Sequence, residues 1–145
     1  MTLSGIAGRH IRLILVEARA SVRNQLRALL ESEPTFVLIA AVQSGIEAVS
    51  EMRRFDPDLI VMDLQLPDSD GLTLTKVIKQ LQPDSCVVLL ISSLKYRKSA
   101  LDCGVTETIV KSNLASDFIP TLKRVCAASI TSVGGKDVNA NYQVR

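Results

Sequence analysis

Four residues of complementary chemistry each stand directly after a short apolar run. Glu17 follows Ile11–Val16 (IRLILV), Asp63 follows Leu59–Met62, Ser92 follows Val87–Ile91 (VVLLI), and Lys111 follows Thr108–Val110. A carboxylate can accept a phosphoryl group. A hydroxyl and a lysine can hold its oxygens, and acidic groups can bind the Mg²⁺ that offsets their charge. If these runs are parallel strands of one sheet, their carboxyl ends line a single crevice and gather all four side chains there. The chemistry such a set supports is phosphoryl transfer onto Asp63.

The elements needed to build that crevice are legible in the hydrophobic pattern. A further run, Phe36–Val42 (FVLIAAV), brings the strand candidates to five. Several of the runs are almost continuously apolar, as expected for a sheet covered on both faces. Between them lie stripes with helical spacing: Val22, Leu26, Leu29 and Leu30; then Ile46, Val49 and Met52; then Leu74, Val77, Ile78 and Leu81; and last Leu114, Phe118, Leu122 and Val125. Prolines punctuate the alternation. Pro34, Pro57 and Pro83 each end a helix, because the residue before a proline is pushed out of the α region. Ser44 is placed to cap the second helix, and Asp70-Gly71 to open the third. Pro120 interrupts the last stripe, so that helix is predicted to start late, near Ser116 or Asp117. Alternating strands and helices predict an α/β fold, a doubly wound five-stranded parallel sheet with helices on both faces.

Composition narrows the function classes. The chain has 145 residues, 47% of them hydrophobic and 22% charged, which suits one ordinary folded domain. A net charge of +2 gives no basis for nucleic-acid binding. No apolar run approaches the ~20 residues of a membrane span, and the N-terminus carries no signal-peptide pattern, so a cytoplasmic location is expected. Cys86, Cys103 and Cys126 lack metal-type spacing and are expected to be reduced thiols. Nucleotide or flavin binding would need a glycine-rich turn after the first strand, and Val16-Glu17-Ala18-Arg19-Ala20 has no glycine. An enzyme acting on an organic substrate is not supported either, with a single histidine in the chain and no cysteine at a strand end beside a base.

The segment Pro57-Asp58-Leu59-Ile60-Val61-Met62-Asp63-Leu64-Gln65-Leu66-Pro67, followed by Asp70-Gly71, resembles the phosphoacceptor segment of bacterial response regulator receiver domains. Leu15-Val16-Glu17 with Val22-Arg23, and Ala100–Val105 with Ile109-Val110-Lys111, resemble the matching segments after strand one and around strand five. The first helix and last strand are most similar to the subfamily that carries a C-terminal helix-turn-helix DNA-binding domain. The resemblance implies a flavodoxin-like sheet in strand order 2-1-3-4-5, with a receiver over residues 9–128. It implies Asp63 as phosphoacceptor, Lys111 and Ser92 as phosphoryl-binding groups, and a Mg²⁺ site made by Glu17, Asp63 and the backbone carbonyl of Gln65. A histidine kinase or phosphotransfer protein would be the donor. A second copy of the chain or a downstream protein would read the change, with no nucleic acid or membrane engaged through this chain.

The chain departs from the family pattern at several points. Ala18 stands where the family has a second acidic residue that ligates Mg²⁺, so metal binding is expected to be weakened. Thr108 stands where the family has an aromatic side chain, Tyr96 being the nearest other aromatic. The stretch from Ser92 to Gly104 is short, which predicts a shortened fourth helix or a shortened loop before it. Residues 129–145 are too few for an output domain and, like the first eight residues, are expected to be flexible. A partly degenerate pseudo-receiver, acting as an interaction module without phosphorylation, therefore stands as the alternative. Asp56, Asp58, Asp68 and Asp70 read as turn and cap residues, His10 has no assigned role, and Arg19, Arg23 and Arg27 read as a solvated helix face.

Overall fold

The computed structural model describes residues 10–136, with side chains placed as far as 128. Strands and helices alternate along the chain as β1 (Ile11–Val16), α1 (Ala20–Glu31), β2 (Phe36–Val42), α2 (Gly45–Phe55), β3 (Leu59–Asp63), α3 (Gly71–Leu81), β4 (Cys86–Ile91), α4 (Arg97–Asp102), β5 (Glu107–Val110) and α5 (Leu114–Lys136). Short 3₁₀ turns, Leu94–Tyr96 and Lys111–Asn113, precede α4 and α5. All strand pairs are parallel, and the sheet order is β2-β1-β3-β4-β5. This is the doubly wound, flavodoxin-like sheet expected from the sequence.

Strand alternation explains why the inner strands are apolar throughout. Leu13, Leu15, Leu59, Val61, Val88, Leu90 and Ile109 face one layer, where α1 (Leu26, Leu30) and α5 (Phe118, Leu122) cover them. Their neighbours Ile14, Val16, Ile60, Met62, Val87, Leu89 and Ile91 face the other layer, under α2 (Ala48, Met52), α3 (Leu74, Ile78) and α4 (Ala100). Each fully buried Leu, Ile or Phe contributes about 1.5–3 kcal/mol, so the two layers together hold the sheet rigid.

The α2 N-terminus is closed by two separate groups. Ser44 Oγ accepts from the Glu47 amide at 3.2 Å. Asp68, from the loop after β3, accepts from the amides of Gly45 (2.8 Å) and Ile46 (2.9 Å). These two amides hold the Asp68 carboxyl below its ordinary range. Asp70 caps α3 through the Thr73 amide at 2.8 Å, Asp58 accepts from the Arg12 amide at 2.9 Å, and Asp56 ends α2 in the left-handed region at φ 52°. All four acidic residues are thus turn and cap groups. Among the described residues, His10 bonds the Pro34 carbonyl, at 2.9 Å.

Three expectations are corrected. Ile46, assigned to the apolar stripe of α2, is 75% exposed. Six residues at 100° each set it roughly 120° around the helix from buried Met52. The last helix begins at Leu114 and contains Pro120. Pro120 and Ser116 both lie on the exposed side, so the carbonyl that loses its donor faces water, while Leu114, Phe118 and Leu122 stay buried. That helix also continues to Lys136, past the expected boundary at Ser129. The expectations for the first eight residues and for residues 137–145 lie outside the described residues. The short fourth helix is as expected, with six residues in α4.

Gly71 is the tightest point of the loop that carries the site. A Cβ there would lie 2.5 Å from Leu89 Cδ1, 3.0 Å from the Leu64 Cα and 3.1 Å from the Asp63 carbonyl oxygen. Gly71→Ala is therefore expected to lower stability by about 1–3 kcal/mol, read as a lower urea midpoint with an unchanged m-value.

Candidate functional site

Strand register assembles the site. β1 and β3 pair with Val16 beside Met62, so the next residues, Glu17 and Asp63, emerge side by side. β4 and β5 pair Ile91 with Val110, which sets Ser92 and Lys111 at adjoining strand ends. β5 lies two strands from β3, roughly 10 Å away, a gap that a lysine side chain can bridge.

Asp63 is only 3% exposed. Its Oδ2 is held by the Lys111 ammonium, an ion pair between residues 48 apart in sequence. Its Oδ1 accepts from the Gln65 amide at 2.9 Å. Glu17 is buried next to it, at 1% exposure. Glu17 Oε2 accepts from the Arg19 amide at 2.9 Å, with Arg19 Nε 3.8 Å away. Glu17 Oε1 is buried and, among the described residues, has no hydrogen-bond partner. Burial first, then the neighbouring Asp63 carboxylate, push the Glu17 carboxyl above its ordinary range, against the opposing pull of the Arg19 amide and Lys111. The site thus combines two crowded carboxylates with one ammonium.

A hard divalent cation suits this donor set. Mg²⁺ is commonly held by one or two carboxylates with water completing its octahedron, and an unpartnered buried carboxylate oxygen beside a second carboxylate is what such an ion would satisfy. The set is sparse, however, because half-buried Ala18 offers no side-chain oxygen, and no cluster of three or more acidic, His or Cys ligands occurs among the described residues.

The structure brings Glu17, Asp63 and Lys111 together, with the Gln65 backbone beside them. Ser92 is exposed at the end of β4 and bonds to neither Asp63 nor Lys111. Two arginines, one read as solvated and one not named, make contacts that the sequence does not point to. Arg23, read as part of a solvated face, is half-buried, and its Nη1 donates to the carbonyls of Glu17 (2.8 Å) and Ala18 (3.2 Å). Arg97, the first residue of α4, bonds the Glu107 carboxylate and also Thr108 Oγ1, the latter at 3.1 Å. Arg124 of α5 approaches Glu107 at 3.8 Å. A guanidinium thus caps Thr108, the position where the sequence departs from the aromatic side chain of the family pattern. Only the placement of Arg23 inside the first turns of a helix, where a cation is disfavoured, hints at its contacts from sequence.

Residues 13–123 match the family described as the response regulator receiver domain. The chain belongs to that family. It is similar to protein-glutamate methylesterase/protein-glutamine glutaminase 5 of Anaeromyxobacter dehalogenans, with 33% identity over 77% of this chain and 32% of that protein. It is also similar to the corresponding enzyme 2 of Carboxydothermus hydrogenoformans, with 35% identity over 70% of this chain and 29% of that protein. The chain spans about a third of the length of these curated relatives. Among solved structures, a LuxR-family two-component response regulator from Aurantimonas sp. superimposes with a TM-score of 0.77 at 25% identity, covering 82% of this chain and 86% of that one. The response regulator domain of Thermotoga maritima CheB gives 0.74 at 24% identity, over 81% and 96%. Likeness to a LuxR-family response regulator is thus joined by likeness to about a third of the length of methylesterase/glutaminases. This receiver is a two-component signal-transduction domain, of a family that interacts with histidine kinases or phosphotransfer proteins. Among the described residues no helix is long and apolar enough to cross a membrane.

Two stability tests follow from this geometry. Lys111→Ala leaves the Asp63 carboxylate buried without its cation and is expected to cost about 2–3 kcal/mol in metal-free urea denaturation, less than a fully buried pair because the Lys111 side chain is 21% exposed. For Glu107, burial would raise the carboxyl, but Arg97, the Thr108 amide and Arg124 outweigh it and hold the group below its ordinary 4.5. A depressed carboxyl contributes stability above its ordinary value and loses it as pH falls through the folded value. Arg97→Ala is therefore expected to cost about 1 kcal/mol at about pH 7, and the deficit should shrink at about pH 3, compared by urea midpoints.

Proposed function

We propose that Asp63 of this receiver accepts a phosphoryl group from a histidine kinase or phosphotransfer protein, and that the modified chain changes its protein interactions. The observation that carries this reading is the Lys111 ammonium on a carboxylate that is 3% exposed at the carboxyl end of the central strand. In the transfer, an Asp63 oxygen forms the new O–P bond while the P–N bond to the donor imidazole breaks and its electron pair leaves with the ring. Lys111 stays beside the acceptor throughout and offsets the charge on the phosphoryl oxygens. The Gln65 amide fixes the carboxylate plane, and the Ser92 hydroxyl is the group available to bond a phosphoryl oxygen at the adjoining strand end. When bound, Mg²⁺ held by Glu17, Asp63 and the Gln65 backbone carbonyl supplies further positive charge for those oxygens.

The chain itself is read as a regulatory element and not an enzyme. The methylesterase and glutaminase activities named for the relatives belong to those longer proteins, and a receiver of this kind would regulate such an activity. The readout would run through α4, β5 and α5, either to a second copy of the chain or to a downstream protein. A pseudo-receiver is the second reading, favoured by Ala18 at the metal side of the site and by the guanidinium over Thr108.

Intact-mass measurement after incubation with acetyl phosphate, with and without Mg²⁺, separates the two. A Mg²⁺-dependent phosphoryl adduct is expected in the wild type and none in Asp63→Ala. If no adduct forms at any Mg²⁺ concentration while Ala18→Asp becomes labelled, the metal side of the site is at fault and the pseudo-receiver reading replaces this one.

A further inference from the structure

The N-terminus of α1 is built against the usual local preferences. Its N-cap is Arg19, which makes no side-chain capping bond, and the first turn holds no acidic residue. Ser, Thr, Asp or Asn would normally stand at the cap, and a cation within the first turns opposes the helix dipole. Arg23 nevertheless sits there half-buried, with one guanidinium nitrogen bonded to the carbonyl oxygens of both Glu17 and Ala18. Those carbonyls mark where β1 ends and the loop begins. The Glu17 amide is tied to the Val42 carbonyl of β2 at 3.0 Å, and the Glu17 side chain bends back onto the Arg19 amide. Sheet, loop and helix therefore meet at one residue, and Arg23 is the side chain that joins helix to loop.

We propose that Arg23 is a positioning residue for Glu17: by clamping the carbonyls of Glu17 and Ala18 it fixes the backbone from which the Glu17 carboxylate reaches the Asp63 site. The proposal rests on the reading of that site given above. With Ala18 offering no carboxylate, Glu17 is the only acidic side chain of this loop at the site. Its chain is one methylene longer than that of aspartate, so it has more freedom to lose on being held in place. Both bonds come from Nη1, whose two N–H groups are fixed in the guanidinium plane, whereas the N–H groups of a lysine ammonium rotate freely about its stem and give a weaker clamp.

Amide hydrogen exchange on the full chain without metal reads the position of Glu17 directly, because the Arg19 amide donates to Glu17 Oε2. The amide at position 23 donates to the Arg19 carbonyl at 2.9 Å and reports α1 itself. In Arg23→Ala the Arg19 amide is expected to exchange at least about ten-fold faster, with less than about a two-fold change at position 23. Arg23→Lys is expected to recover part of the protection. Equal acceleration at both positions would reduce Arg23 to a helix anchor and overturn the proposal, as would an unchanged Arg19 amide. Acetyl phosphate labelling of Arg23→Ala is expected to slow about ten-fold. If the wild type is not labelled at all while the Arg19 amide responds as expected, the phosphoacceptor reading fails and the positioning role stands.

Discussion

Burying a carboxylate is costly unless it is paired and hydrogen-bonded, and Asp63, 3% exposed, is paired with Lys111. The pairing joins residues from two strands separated by a third, and it exists only if β3, β4 and β5 run parallel with their ends in line. The shape of the site follows from this one requirement. β4 lies between the partners and ends in Ser92, while β1 lies on the other side of β3 and ends at Glu17. Two hydrophobic layers clamp the sheet from both faces, so the strand ends cannot slide relative to one another.

That rigidity lets the protein hold an unfavourable group. Glu17 is buried beside a second carboxylate, and among the described residues one of its oxygens has no partner. Such a group lowers stability, and it is held at the carboxyl edge of the parallel sheet only because the packing around it fixes its position. The surrounding loops are correspondingly well tied. Asp68 fastens the loop after β3 to the start of α2, Asp70 caps α3, and Gly71 lets the backbone pass against Leu89. The loop after β1 is tied by Arg23 alone among side chains of α1.

The opposite side of the site is organised differently. α4 is short and buries only Ala100, so little apolar area anchors it. Its attachment to β5 relies on Arg97, which meets both Glu107 and Thr108, with Arg124 of α5 nearby. Charged and hydroxyl groups thus surround Thr108, where the sequence departs from the family's aromatic side chain. A polar clasp of this kind is sensitive to pH and salt, whereas an aromatic one is not.

How much of this was legible in the sequence differs from element to element. The strands were, because Ile11–Val16 and Leu59–Met62 are apolar at every core-facing position, as inner parallel strands covered on both faces require, and the edge strand Phe36–Val42 is apolar throughout. Asp63, Glu17 and Lys111 were legible for the same reason: each is the first charged residue after such a run, so topology alone sends them to one edge. What depended on tertiary structure was which face of a helix is buried and which polar groups meet. Ile46 fits a helical stripe but turns to solvent, and Pro120 looks like a helix breaker but is accommodated on an exposed side of α5. The contacts of Arg23 and Arg97 likewise belong to the folded chain. A long cationic side chain reaches several backbone and side-chain acceptors, and sequence spacing does not say which of them will be within reach once the layers pack.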